Sequence, residues 1–139
     1  MTTKKFSLDV FDTVKSSNAG YVLHFNLPAS EEPAFNGDVP LTMKVQGIES
    51  DAYTKHIAWQ ERQDKNESKD SRNDPERDIK RDIALYCAVV TGWTGFPNSD
   101  GTGMQKFSIE ALREVLTQYA DFRHQLRNCL VNRKNFIGN

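Results

Sequence analysis

One stretch of this 139-residue chain limits what the rest can become. From Glu61 to Asp82, fifteen of 22 residues are charged, eight acidic and seven basic, and Ile79 is the only large apolar side chain. A segment like this cannot bury enough surface to offset its ordering entropy, so it cannot form a core of its own. Two states fit it. One is a solvated helical extension held by opposite charges three or four residues apart, the other a flexible linker. Asn73-Asp74-Pro75 marks a break, because proline disfavours helix in the residue before it. The chain therefore divides into residues 1–60, a charged region 61–82 and residues 83–139.

The first region reads as β. Phe6, Leu8 and Val10 alternate with polar residues, as do Tyr21 to Leu27 and Leu41 to Gln46 in large part. Period two places one strand face inward and the other toward water. Ser16 to Gly20 has turn composition, and Pro28 to Pro40 is a longer connection carrying Asn36-Gly37-Asp38. Two or three short antiparallel strands result, and so small a sheet needs a cover. The expected cover is a helix after Gly47, with Ser50 as N-cap and an apolar stripe of Ala52, Tyr53, His56, Ile57 and Trp59.

The last region reads as helical. Ile79, Ile83, Tyr86, Cys87 and Val90 keep helical spacing, and Gly92 is placed to stop that helix. A glycine-rich connection, Trp93 to Gly103, follows. Ser108 is the next N-cap, with Phe107 set to staple onto Leu112. Ile109, Leu112, Val115, Leu116 and Tyr119 make one face; Phe122, Leu126, Cys129, Leu130 and Phe136 make another. The expected fold class is α+β: a small N-terminal antiparallel β-sheet with a covering helix, a charged linker, and a C-terminal helical bundle of about three helices.

Chemistry finds little purchase in these residues. His24, His56 and His124 lack metal-ligand spacing to one another or to cysteine, so neither a metal nor another cofactor is expected. The glycine-rich connection lacks the lysine and preceding strand of a phosphate loop, and Asp100-Gly101-Thr102-Gly103 lacks the ligand order of a calcium loop. Cys87 and Cys129 sit in apolar helical patterns and read as small buried hydrophobes; the count alone also permits a disulfide. The opening residues run straight into a strand-like pattern without a leader, so an oxidising compartment is not expected. A formal net charge of −1 argues against non-specific nucleic-acid binding, and no apolar run approaches a membrane span of ~20 residues. A non-enzymatic binding protein is the expectation.

Several passages carry a family likeness. Val45-Gln46-Gly47-Ile48-Glu49-Ser50-Asp51-Ala52-Tyr53 runs from strand to helix. Further on come Gly92-Trp93-Thr94-Gly95-Phe96, then Phe107-Ser108-Ile109-Glu110-Ala111-Leu112, then Tyr119 and a closing helix ending near Asn135-Phe136-Ile137. Over residues 41–60 and 83–137 the chain resembles the small tail assembly chaperones of long-tailed bacteriophages and prophages. The resemblance implies a protein of the host cytoplasm that coats the hydrophobic tape measure protein, keeps it soluble, recruits tail tube subunits and is absent from the finished virion. The alternative is a small virion structural protein of the tail or head-tail junction.

For the binding role, Trp93 and Phe96 at a helix–loop junction are candidate anchors, and they equally suit plugging the helical core. Phe107, Leu112, Leu116, Tyr119, Phe122, Leu126 and Phe136 complete the candidate partner-binding set. These faces either pack on one another or serve self-association and capture of a tape measure helix in a groove.

Overall fold

The computed structural model describes residues 6–137. The fold is α+β, a small antiparallel sheet with six α-helices, three of which form the C-terminal layer. The chain opens with a 3-10 turn at Leu8–Phe11 and α1 at Thr13–Ala19, then β1 at Tyr21–His24. A tight hairpin of β2 (Phe35–Asn36) and β3 (Val39–Pro40) precedes β4 at Thr42–Val45. Helices α2 (Asp51–Lys65), α3 (Lys69–Arg72) and α4 (Arg77–Val89) follow, then β5 at Val90–Thr94, α5 at Ile109–Gln118 and α6 at Ala120–Val131. A final 3-10 turn covers Arg133–Phe136.

The sheet order is β1-β4-β5, antiparallel throughout. Central β4 buries Met43 and Val45 on one face and turns Lys44 to solvent. On the outer face the hydroxyls of Thr42 and Thr94 pair across the strands at 2.6 Å. The inner face joins Phe25, Met43, Val45 and Val90 to Ile83, Tyr86 and Val89 of α4, Leu112 and Leu116 of α5, and Leu126, Cys129 and Leu130 of α6. This is one continuous core.

Strand β5 corrects the expectation of an unbroken helical region with a stop at Gly92. The helix ends at Val89, and four of the next five residues pair with β4. Val89-Val90-Thr91 is β-branched, which weakens helix and suits a pleated strand, and β4 otherwise has an open edge. Thr91 is the extra residue of a bulge, since Lys44 faces Gly92 while Val45 faces Val90. The sheet thus draws strands from both sides of the charged region.

The N-terminal segment also departs from expectation. Phe6, Leu8 and Val10 form no strand; Ser7 caps the Leu8–Phe11 turn by accepting from the Asp9 amide, and Asp12 caps α1 by accepting from Lys15. Such local side-chain bonds compete with a ladder, and no strand partner is offered here. Ser16 to Ala19, expected as a turn, is the last turn of α1, closed by Gly20 at φ 85°. Tyr21–His24 and Thr42–Val45 are strands as their alternation requires.

Ser50 caps α2 by accepting from the Tyr53 amide. The helix expected over the sheet packs chiefly on α4 and α1, and Ile57 and Trp59 of its stripe stay exposed. The C-terminal helices supply most of the sheet's cover instead, because β5 hands the chain directly from α4 into the sheet.

The charged region takes the helical alternative. Helix α2 runs to Lys65, α3 occupies Lys69–Arg72, and α4 starts at Arg77. Arg77 grips Glu67 with two bonds of 2.9 Å, Arg81 grips Asp64, and Lys80 meets Asp74 at 2.7 Å. These cations hold the three carboxyls below their ordinary range: Arg81 for Asp64, Arg77 for Glu67 and Lys80 for Asp74. The unfolded chain therefore takes up these protons first as pH falls below about 4.5. The pairs contribute fully above that pH, and their contribution is lost through the acid range. Arg77→Ala is expected to speed amide exchange at residues 66–76 several-fold while the global unfolding midpoint barely moves, because the pairs stand at the surface. Exchange mass spectrometry at pH 7 reads this directly; unchanged exchange there would mean the pair does not order the hairpin.

Candidate functional site

Two features build an open apolar cleft on this surface. The first is the connection between β5 and α5. Gly95 turns the chain at φ 81°, and Phe96 drops into the core. The connection is tied internally: Asn98 and Gly101 close a turn, and Asp100 accepts from both the amide and the hydroxyl of Thr102. Those bonds hold the Asp100 carboxyl below its ordinary value. Trp93 lies against Phe96 with ring centroids 4.6 Å apart, and its indole N–H donates to the Gln105 carbonyl at 2.9 Å. Phe107 meets Trp93 edge to face.

The second feature is Gln125 on α6. Its side-chain oxygen accepts from the Asn26 amide at 3.0 Å and its nitrogen donates to the Asn26 carbonyl at 2.9 Å. One side chain thus acts as a short strand partner for the chain leaving β1. The same nitrogen donates to Asp121 at 2.8 Å. This clasp sets Asn26 to Pro28 as a wall facing α5 and α6.

Between these features lies a cleft of about 560 Å³. Phe96, Phe122, Leu41 and Val115 line its depth; Leu27, Pro28, Pro97 and Tyr119 line its mouth. Phe122 touches Phe25, Phe96 and Tyr119 in turn, with centroids 5.0, 5.3 and 6.1 Å apart. Glu114 and Asp121 are charged residues of the lining, and among the described residues no lysine or arginine joins them. The cleft is thus apolar with an acidic edge, and about half of the Tyr119 side chain stands in water.

The nine candidate binding residues separate cleanly by burial. Phe96, Leu112, Leu116, Leu126 and Phe136 are buried, so their side chains are committed to the core. Of the two alternatives the sequence left open, the helical faces show the packing one: they pack on each other and on the sheet. Trp93 and Phe107 are half-buried and hold the connection in shape. Tyr119 and Phe122 open onto the cleft, with Phe96 as its floor. Leu27, Leu41, Pro97 and Gln125 were missed, because what unites them is a meeting of four separate segments. The outward position of Leu27 just past a strand end is the one local signal for any of them.

The remaining reactive side chains lie elsewhere. Burial pushes the Cys129 thiol up to about 11 and also raises Cys87, so neither is a ready thiolate at neutral pH. Both thiols are free. His56 packs on Trp59, and burial, aided by Arg81, holds its pKa down. His24 and His124 are at the surface. Among the described residues no helix is long and apolar enough to cross a membrane.

Comparison with protein-family models, with curated proteins and with solved structures found no match to this chain.

Proposed function

We propose that this protein is a phage tail assembly chaperone that holds an apolar segment of the tape measure protein in the cleft beside Tyr119. The observation that carries the reading is a convergence. Phe96, Ala111 and Tyr119, from three of the passages that resemble tail assembly chaperones, all line one open apolar cleft. A holding protein needs apolar surface open to a client on a body that stays dispersed, and this cleft is ringed by polar and acidic residues. The acidic edge favours clients whose apolar stretches carry lysine or arginine.

On this reading the protein binds a client and has no catalytic step. It works in the host cytoplasm, keeps the tape measure protein soluble until tail tube subunits arrive, and leaves before the virion is complete. Persistence in purified particles would instead make it a structural component of the tail or head-tail junction.

Light scattering tests the site. Wild-type protein is expected to suppress aggregation of a tape measure segment diluted from urea. Tyr119→Ser is expected to need roughly tenfold more protein for the same effect, within the range for a central aromatic anchor. Its thermal midpoint is expected to stay within a few degrees of wild type, since the ring is half in water. Equal suppression by both proteins would remove the cleft from the account.

A further inference from the structure

The sheet is open along β1. The Phe25 amide donates to the Leu41 carbonyl at 3.0 Å, and the register sets Leu23 opposite Met43 and Tyr21 opposite Val45. Main-chain groups point to alternate sides along a strand, so the amides of Tyr21, Leu23 and Phe25 turn to β4. Those of Val22, His24 and Asn26 turn the other way. Gln125 satisfies Asn26 with its two bonds. Among the described residues nothing bonds the outward amide or carbonyl of Val22 or His24. Open edges are commonly guarded by proline, lysine or a bulge. The opposite edge strand, β5, carries the bulge at Thr91. Tyr21-Val22-Leu23-His24 contains neither proline nor lysine, and its pairing with β4 is regular.

A groove of about 430 Å³ runs beside this edge. Tyr21, Leu23 and His24 form one bank. The other is α6, where Gln125, Asn128 and Asn132 share a helix face. Side-chain amides donate and accept as a peptide backbone does. Gln125 already shows the mode: one amide, laid against the strand edge, exchanges two bonds with one residue. Asp121, held to Gln125, puts a carboxylate at that end of the groove, and among the described residues no lysine or arginine lines it. An added strand would lie about 4.8 Å from β1. A second copy pairing through its own β1 would bring its own α6 against the first, so the groove suits a lone extended segment.

We propose that an extended peptide segment of another protein adds to the sheet as a fourth strand, along the free edge of β1 and against α6, with a lysine or arginine at the Asp121 end. Main-chain bonds to Val22 and His24 supply the affinity, and the amides of α6 favour polar side chains on the strand's inner face. The groove meets the client cleft at Asn26, Leu27 and Asp121 but needs no client there.

An NMR titration tests it, with a capped hexapeptide of alternating threonine and valine led by lysine. In the free protein the Val22 and His24 amides are expected to exchange freely while Leu23 is protected. Saturating peptide is expected to slow exchange at Val22 and His24 by about tenfold or more. The same peptide N-methylated throughout lacks the donors and is expected not to bind. Val22→Pro removes an outward N–H and leaves the bonds to β4, since proline is tolerated on an edge. It is expected to weaken peptide binding roughly fivefold while suppression of tape measure aggregation stays at the wild-type level. Asp121→Asn is expected to weaken the lysine-led peptide about threefold at low salt and a threonine-led one not at all. Peptide binding that survives in Tyr119→Ser supports the proposal whatever becomes of client holding. No protection at several millimolar peptide, or equal binding of the N-methylated peptide, would overturn it. So would protection of Val22 and His24 that rises with protein concentration alone, which would give the edge to a second copy.

Discussion

Phe25→Ala is expected to lower the free energy of unfolding by about 4 kcal/mol, near the top of the range for a buried aromatic. Phe25 is 1% exposed and stands where the sheet, the β5–α5 connection and α6 meet. Its ring contacts Phe122 at 5.0 Å and Phe96 at 6.0 Å, both edge to face. Its backbone is held as well, donating to the Leu41 carbonyl and accepting from Ala34. The backbone therefore cannot close over the space that the ring leaves. The loss combines lost burial, a residual cavity and two lost aromatic contacts. For a chain of this size it corresponds to a fall in Tm on the order of 10–15 °C. Urea denaturation reads it, with an unchanged slope if the denatured state is unaffected. Because Phe96 and Phe122 also floor the cleft, client holding should fall with stability, unlike the Tyr119→Ser case. A loss under about 1 kcal/mol would show that this site collapses freely and that the core is not organised around Phe25.

Gly95→Ala is expected to cost about 3 kcal/mol, for two additive reasons. The residue sits at φ 81°, where an L side chain costs roughly 1–2 kcal/mol. A Cβ there would also stand 2.5 Å from the Pro40 carbonyl oxygen and 2.9 Å from its carbon, and both belong to backbone entering β4. Neither can swing aside as a flexible side chain would. Relief requires moving the β5–α5 connection, which would part Phe96 from the core and open its stack with Trp93. Two other glycines separate the causes. Gly101 has a similar φ of 84° but open space around its Cβ position, so alanine there should cost about 1 kcal/mol. Gly92 has an ordinary φ and open space, so alanine should be nearly neutral, within about 0.5 kcal/mol. Chemical denaturation of the three variants gives the ladder. Equal losses at positions 95 and 101 would show that the close approach to Pro40 adds nothing.

Legibility followed the range of the interactions involved. Ser50 and Ser108 were readable as caps because a cap is a bond to an amide three residues away. Thr42–Val45 was readable as a strand because one face is buried, and Tyr21–His24 because its residues alternate, with Leu23 turned partly inward. The α5 and α6 faces were readable as apolar stripes, but periodicity says only that a face is covered, not by what. That is why Leu112, Leu116 and Leu126 read equally well as docking residues and as core. Alternation misled at Phe6 to Val10, where caps on Ser7 and Asp12 outcompete pairing and no face is buried. Gly92 looked like a helix stop because its partner, Lys44, lies 48 positions earlier and the pairing leaves no local trace. In the charged region, Arg81 pairs with Asp64 across 17 residues and Arg77 with Glu67 across 10, spacings that a single helix does not offer. The cleft was the least legible part, since it exists only once residues near 27, 41, 97 and 119 are brought together.

Co-expression with a phage tape measure protein, followed by purification through a tag on the present chain, tests the proposed function most directly. The account predicts that the tape measure protein moves from the pellet to the soluble fraction and co-purifies with wild type. It predicts that Tyr119→Ser recovers much less of it from the same amount of folded protein. A tape measure protein that stays insoluble and unbound beside a well-folded wild-type chain would contradict the account.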